Sequence, residues 1–151
     1  MSEAQAESSQ TLIGHCLCKA VALSVRHDKP QLGVCHCGIC RAWGGGPFMS
    51  LESHQAPIIE GIENVTIYAT SEWAERGFCM HCGTHLFYRL KEGDFYAVSA
   101  GLFCHSGEWP ISLQVFIDEK PENYALVNET HTMTGQEVFD AWSSQNGEDH
   151  G

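Results

Sequence analysis

The run Arg76-Gly77-Phe78-Cys79-Met80-His81-Cys82-Gly83-Thr84-His85-Leu86 decides how this chain is read. Strand-like segments over 75–78 and 84–90 flank a C-x-x-C pair, which places both thiols at the tip of a hairpin. Two further clusters precede it, Cys16-Leu17-Cys18 and Cys35-His36-Cys37-Gly38-Ile39-Cys40. Cysteines one or two residues apart can turn their sulfurs to one point, which a metal needs and an apolar core does not. A disulfide more often joins distant positions. Together the clusters hold seven of the eight cysteines, one short of two tetrahedral four-thiolate sites. The arithmetic suggests one closed four-thiolate zinc site and one three-thiolate site with an open position.

Spacing alone leaves two partitions open. Cys37/Cys40 could join Cys79/Cys82 as a zinc ribbon, which leaves Cys16, Cys18 and Cys35 without a role. Alternatively, Cys16/Cys18 joins Cys79/Cys82, and Cys35, Cys37 and Cys40 form a compact group of three.

Outward from the clusters the periodicity is mostly two. Val21, Leu23 and Val25 alternate with Ala22, Ser24 and Arg26, and further strands are expected over 46–51, 56–59, 65–69, 95–100 and 112–118. Turn signals such as Asp28-Lys29-Pro30 and Glu92-Gly93-Asp94 separate them. One short helix is expected from Gly135 to Trp142, capped by Thr132 or Thr134, with Val138, Phe139 and Trp142 on one face. Residues 1–10 and 143–151 read as flexible ends around a single domain over 11–142, a mainly β protein.

Composition narrows the function. With 8 Lys+Arg against 19 Asp+Glu, the formal charge of −11 opposes a phosphate backbone, and no basic cluster is visible, so no nucleic-acid partner is expected. No apolar run reaches the ~18 residues of a membrane helix. The Ser/Gln/Glu/Ala-rich start does not read as a signal peptide. A cytoplasmic location follows, where thiols stay reduced and clustered cysteines more often bind metal than form disulfides.

The three motifs, in order, resemble a known family. Gly14-His15-Cys16-Leu17-Cys18, Cys35-His36-Cys37-Gly38-Ile39-Cys40-Arg41 and the 76–86 run match G-x-C-x-C, C-H-C-x-x-C-R and R-x-F-C-x-x-C-G-x-x-L. These are motifs of the glutathione-dependent formaldehyde-activating enzyme family, which also includes the domain of centromere protein V. The likeness runs over about 12–126. It implies a β-tent, a set of small antiparallel sheets pinned by zinc, with two zincs per chain. It assigns structural zinc to Cys16, Cys18, Cys79 and Cys82 and catalytic zinc to Cys35, Cys37 and Cys40. The activity implied is that of a carbon–sulfur lyase on a small-molecule thiol, such as formation of S-hydroxymethylglutathione from glutathione and formaldehyde. The alternative is a non-catalytic, zinc-stabilised protein-binding module.

Single residues carry competing readings. His36 and His81 lie beside ligand positions, where side chains often point away from the metal, so partnership with the ligand shell or acid–base work is expected before ligation. Arg41 follows the third cysteine and is placed to offset site charge or to hold a carboxylate. Trp43 and Phe48 are candidates for a pocket wall, and Gly44-Gly45-Gly46 reads as a loop. Cys104 has no cysteine neighbour and reads as a small buried hydrophobe. The sharper alternative is that Cys104 or His105 closes the three-sulfur site.

Overall fold

The computed structural model describes residues 10–150, and over 144–150 the backbone alone. The flexible start expected over 1–10 lies, apart from Gln10, outside the described residues. Among the described residues the architecture is mainly β with two α-helices. Its strands are β1 (Gln10–His15), β2 (Ala22–His27), β3 (Leu32–Cys35), β4 (Phe48–Ser53), β5 (Ile58–Glu60), β6 (Val65–Ala69), β7 (Ala74–Cys79), β8 (His85–Leu90), β9 (Tyr96–Ser99), β10 (Ile111–Val115) and β11 (His131–Met133). The helices are α1 (Gly38–Gly44) and α2 (Gly135–His150). No helix among the described residues is long and apolar enough to cross a membrane.

The chain divides into two compact units. The first comprises the described residues up to Leu32 together with Ser50–Pro110; the second comprises Gly33–Met49 and the described residues from Ile111 onward.

In the first unit β1, β2 and β5 form an antiparallel sheet. Val21, Leu23 and Val25 are buried while Ala22, Ser24 and Arg26 are not, as the alternation predicts. Strands β6, β7, β8 and β9 follow one another antiparallel, and Ser50–Ser53 pairs with β9. Leu51, Leu86, Phe87 and Val98 are buried beneath them. Each such side chain, fully buried, contributes about 1.5–3 kcal/mol. Gly77 sits where the β7–β8 register shifts, and a Cβ there would lie 2.5 Å from the Phe87 ring. Only a residue without a side chain lets the strand approach that ring.

In the second unit β11, β10 and β3 lie side by side, and β10 and β11 run parallel, a departure from the all-antiparallel expectation. α2 begins where expected and continues past Trp142 to His150. Its start is a reciprocal capping box: the Glu137 N–H donates to Thr134 Oγ1 at 3.1 Å, and the Thr134 N–H donates to Glu137 Oε1 at 2.8 Å. Asp118 Oδ1 accepts the Gly135 N–H at 2.9 Å. Phe139 meets Phe116 edge-on at 5.8 Å, although Phe139 and Trp142 each stay 41% exposed. The sequence reading missed α1, β1, β3 and β11.

Gly77→Ala is expected to lower stability by about 1–3 kcal/mol, because the Phe87 ring must shift to admit the methyl. Gly107→Ala, whose added methyl meets nothing within 4 Å, should change it by no more than about 0.5 kcal/mol. Denaturant melts of the metal-loaded variants check the pair.

Candidate metal centres

Two groups of cysteines bring their sulfurs within 4.8 Å of one another: Cys16, Cys18, Cys79 and Cys82, and separately Cys35, Cys37 and Cys40. The geometry therefore brings the cysteines together in the second partition, not as a ribbon of Cys37/Cys40 with Cys79/Cys82. Each group lies within one compact unit.

The four-sulfur group is built from two turns. In the first, the Cys16 N–H bonds the Val21 carbonyl at 3.0 Å and the Lys19 N–H bonds the Cys16 carbonyl at 3.1 Å, so the chain doubles back between β1 and β2. In the second, between β7 and β8, the Gly83 N–H bonds the Cys79 carbonyl at 2.8 Å and the Cys79 N–H bonds the Thr84 carbonyl at 3.0 Å. Thr84 ties the turns together: its hydroxyl oxygen accepts the Leu17 N–H at 3.2 Å and lies 3.1 Å from Cys82 Sγ. Sulfur–sulfur separations are 3.6 Å for Cys16–Cys18 and 3.7 Å for Cys18–Cys79. His81 is not in the group; its Nε2 pairs with Asn64 Oδ1 at 2.8 Å.

The three-sulfur group forms around the start of α1. Cys37 caps the helix in an extended conformation, and its Sγ accepts the Cys40 N–H at 3.3 Å. The helix ends at Gly45, whose φ of +83° lets its N–H return to the Arg41 carbonyl at 2.7 Å. The triple glycine thus serves as a helix stop. Arg41 Nε donates to the His36 carbonyl at 3.0 Å, and Glu119 Oε1 accepts the Gly38 N–H at 2.9 Å. Trp43 and Phe48 meet edge-on at 5.5 Å.

His36 is fully buried and joins no sulfur group. Its Nε2 lies 2.7 Å from Gln114 Oε1 and its Nδ1 lies 2.9 Å from the Tyr124 hydroxyl. Gln114 in turn donates to Thr130 Oγ1 at 2.9 Å. Sequence reasoning missed Gln114, Tyr124 and Thr130. The available signal was Gln114, a polar residue on a strand whose side chain proves buried.

The donor set fits a thiophilic cation. Bonds from the Thr84 hydroxyl and backbone bring the Cys82 thiol down to about 5. Cys16 is lowered too, its burial outweighed by the Val21 N–H and by Cys18 and Cys79. At Cys18 a backbone bond from Ala20 pulls down, but desolvation and the sulfurs of Cys16, Cys82 and Cys79 push it up to about 12. Cys35 is raised by its hydrogen bonds with Cys37 and Cys40 and then by burial. So many thiols at one point cannot all ionise by themselves, whereas a divalent ion lets them. Backbone N–H groups aim at the sulfurs as they would at thiolates: Val21 at Cys16 (3.4 Å), His81 at Cys79 (3.4 Å) and Cys40 at Cys37 (3.3 Å). Either group could hold a metal ion, and all-sulfur donors suit zinc.

Cys104 belongs to neither group and is exposed, which corrects the expectation of a buried small hydrophobe. His105 belongs to neither group and lies beside Glu108, with Nδ1 3.4 Å from its Oε2.

Fold and sites together define a small, mainly β protein carrying two candidate thiolate metal centres. A model of the family described as glutathione-dependent formaldehyde-activating enzyme matches residues 11–119, and the chain belongs to that family. It is 41% identical over 127 residues to a Schizosaccharomyces pombe protein named an uncharacterized lyase, covering 83% of this chain and 93% of the relative. A crystal structure of a Rhodobacter sphaeroides protein shares the fold with a TM-score of 0.54, at 23% identity, over 67% of this chain and all of the other.

Gln114→Leu should cost about 1–3 kcal/mol by leaving the buried His36 Nε2 without a partner, whereas Gln114→Glu, which keeps an acceptor, should cost less. Thermal melts of the two zinc-loaded variants measure the difference.

Proposed function

We propose that this chain is a zinc-dependent carbon–sulfur lyase acting on a thiol–aldehyde adduct, as in formation of S-hydroxymethylglutathione from glutathione and formaldehyde. The family and the lyase name of the Schizosaccharomyces pombe relative support a lyase. The finer reading rests on the inequality of the two sulfur groups. Cys16, Cys18, Cys79 and Cys82 supply every donor a tetrahedral ion takes, which suits a structural site. Cys35, Cys37 and Cys40 supply three and leave a position for the sulfur of a substrate.

Zinc held by Cys35, Cys37 and Cys40 would deprotonate an incoming thiol while leaving its sulfur nucleophilic. The chain's own residues arrange the rest. Cys37 is fixed by the Cys40 N–H, so the group is shaped by a helix start and not by a loose loop. Arg41, held through Nε, offsets the negative charge of three thiolates and offers its guanidinium to a carboxylate of the thiol. In the synthetic direction sulfur bonds to the aldehyde carbon, the carbonyl π pair moves to oxygen, and the proton given up by the thiol ends on that oxygen. Cleavage is the reverse. All eight cysteines are free thiols, and a reducing compartment such as the cytosol keeps them available.

Metal analysis should find two zincs per chain. Cys16→Ser or Cys82→Ser should give insoluble or unfolded protein, since a structural zinc contributes on the order of 10 kcal/mol, comparable with a small domain's whole net stability. Cys37→Ser should remain folded, keep one zinc and lose both thiol binding and turnover. A Cys82→Ser protein with unchanged circular dichroism and melting temperature would overturn the division of labour.

A further inference from the structure

We propose that Tyr124 recognises the hydroxyl group of the thiol–aldehyde adduct at the three-cysteine group, its oxygen oriented as a hydrogen-bond acceptor by His36 and Gln114. This rests on the thiol-binding reading above. His36 stands between two sulfur donors in sequence, yet it turns both ring nitrogens to other partners. The polarity of those bonds is set from the far end. Gln114 donates through Nε2 to Thr130, so its Oε1 faces His36 and can only accept. His36 Nε2 therefore carries a proton, and in the tautomer this pairing selects Nδ1 presents a lone pair. The Tyr124 O–H donates to that lone pair at 2.9 Å. Its single proton is then committed inward, and the oxygen's remaining capacity is to accept.

Tyr124 belongs to a stretch without regular structure, but three contacts fix it. The hydroxyl is bound to His36, the carbonyl accepts the Lys120 ammonium, and that ammonium lies 5.3 Å from the centre of the Tyr124 ring. The residue is only half-buried, so a ligand can reach it. Its hydrogen bond to His36, which stands between Cys35 and Cys37 in the chain, is what ties the hydroxyl to the three-cysteine segment. An acceptor there suits S–CH2–OH, whose hydroxyl donates from one carbon beyond sulfur. It offers nothing to a free aldehyde, which can only accept, or to a plain alkyl thiol.

Cobalt-substituted protein reports thiol binding through its sulfur-to-cobalt charge-transfer band. Titrations with 2-mercaptoethanol and ethanethiol, on wild type and Tyr124→Phe, separate the contributions. Wild type should favour the hydroxylated thiol over its counterpart by a ratio about five- to tenfold greater than Tyr124→Phe does, the scale of one hydrogen bond. Equal ratios overturn the role of Tyr124. Failure of both thiols to perturb either protein overturns the open-position reading beneath it, a distinguishable outcome. The zinc-loaded wild type supplies a check that needs no variant. Nitrogen-15 resonances of the His36 ring should respond to 2-mercaptoethanol more than to ethanethiol, and identical responses overturn the proposal even if Tyr124→Phe fails to fold.

Discussion

The crowding of thiols is the constraint on which the rest of this structure depends. Sulfurs held within 4.8 Å cannot all be anions in the absence of a cation, so their acidities are driven apart. In the four-sulfur group Cys82 falls to about 5 while Cys18 rises to about 12. A core built for burial would avoid this arrangement. A core built around an ion turns the conflict into cohesion, because each thiolate the ion favours strengthens its hold on the turn that carries it. That is a useful device for a unit in which the β1–β2 turn and the β7–β8 tip are more than sixty residues apart in the chain.

The two groups use the same donors on different frames. In the first, both pairs sit in tight turns stitched together by Thr84, and the frame has backbone hydrogen bonds on each side. In the second, Cys37 does two jobs, capping α1 and presenting its sulfur. Helix caps are ordinarily oxygen-bearing side chains, because oxygen accepts an N–H well. A sulfur here is a weak cap in exchange for a donor at a defined place. The cost falls on a helix of only seven residues, which is marginal by itself and relies on Glu119 and Arg41 for further fixing.

Much of this was legible in the sequence because the informative features are local. The C-x-C and C-x-x-C spacings report sulfurs sharing one point, and the alternation over 21–26 reports a half-buried strand. Of the two caps expected, Thr132 or Thr134, the structure uses Thr134, and its reciprocal partner Glu137 was not read from the sequence. What escaped was set by tertiary context. β3 is a short run, and β11 is a three-residue strand defined by its partner alone. α1 is hidden in a cysteine motif and ends on a glycine that also reads as loop. Cys104 has the composition of a core residue but lies on the surface, and no local signal marks the difference.

The partners of His36 illustrate the harder limit. A histidine between two ligands looks from sequence like a candidate ligand itself, since nothing nearby announces another use. Gln114 and Tyr124 are 78 and 88 residues away, and only the fold brings them to opposite edges of one imidazole. Once buried, that ring needs two polar partners, because an unsatisfied ring nitrogen in the interior carries a full desolvation penalty. The motif therefore does more than count sulfurs. It sets a buried polar ring between two of them in the chain, and the need to satisfy that ring engages Tyr124, five residues past the end of the family match. Residues outside a recognised motif can thus be obliged by it.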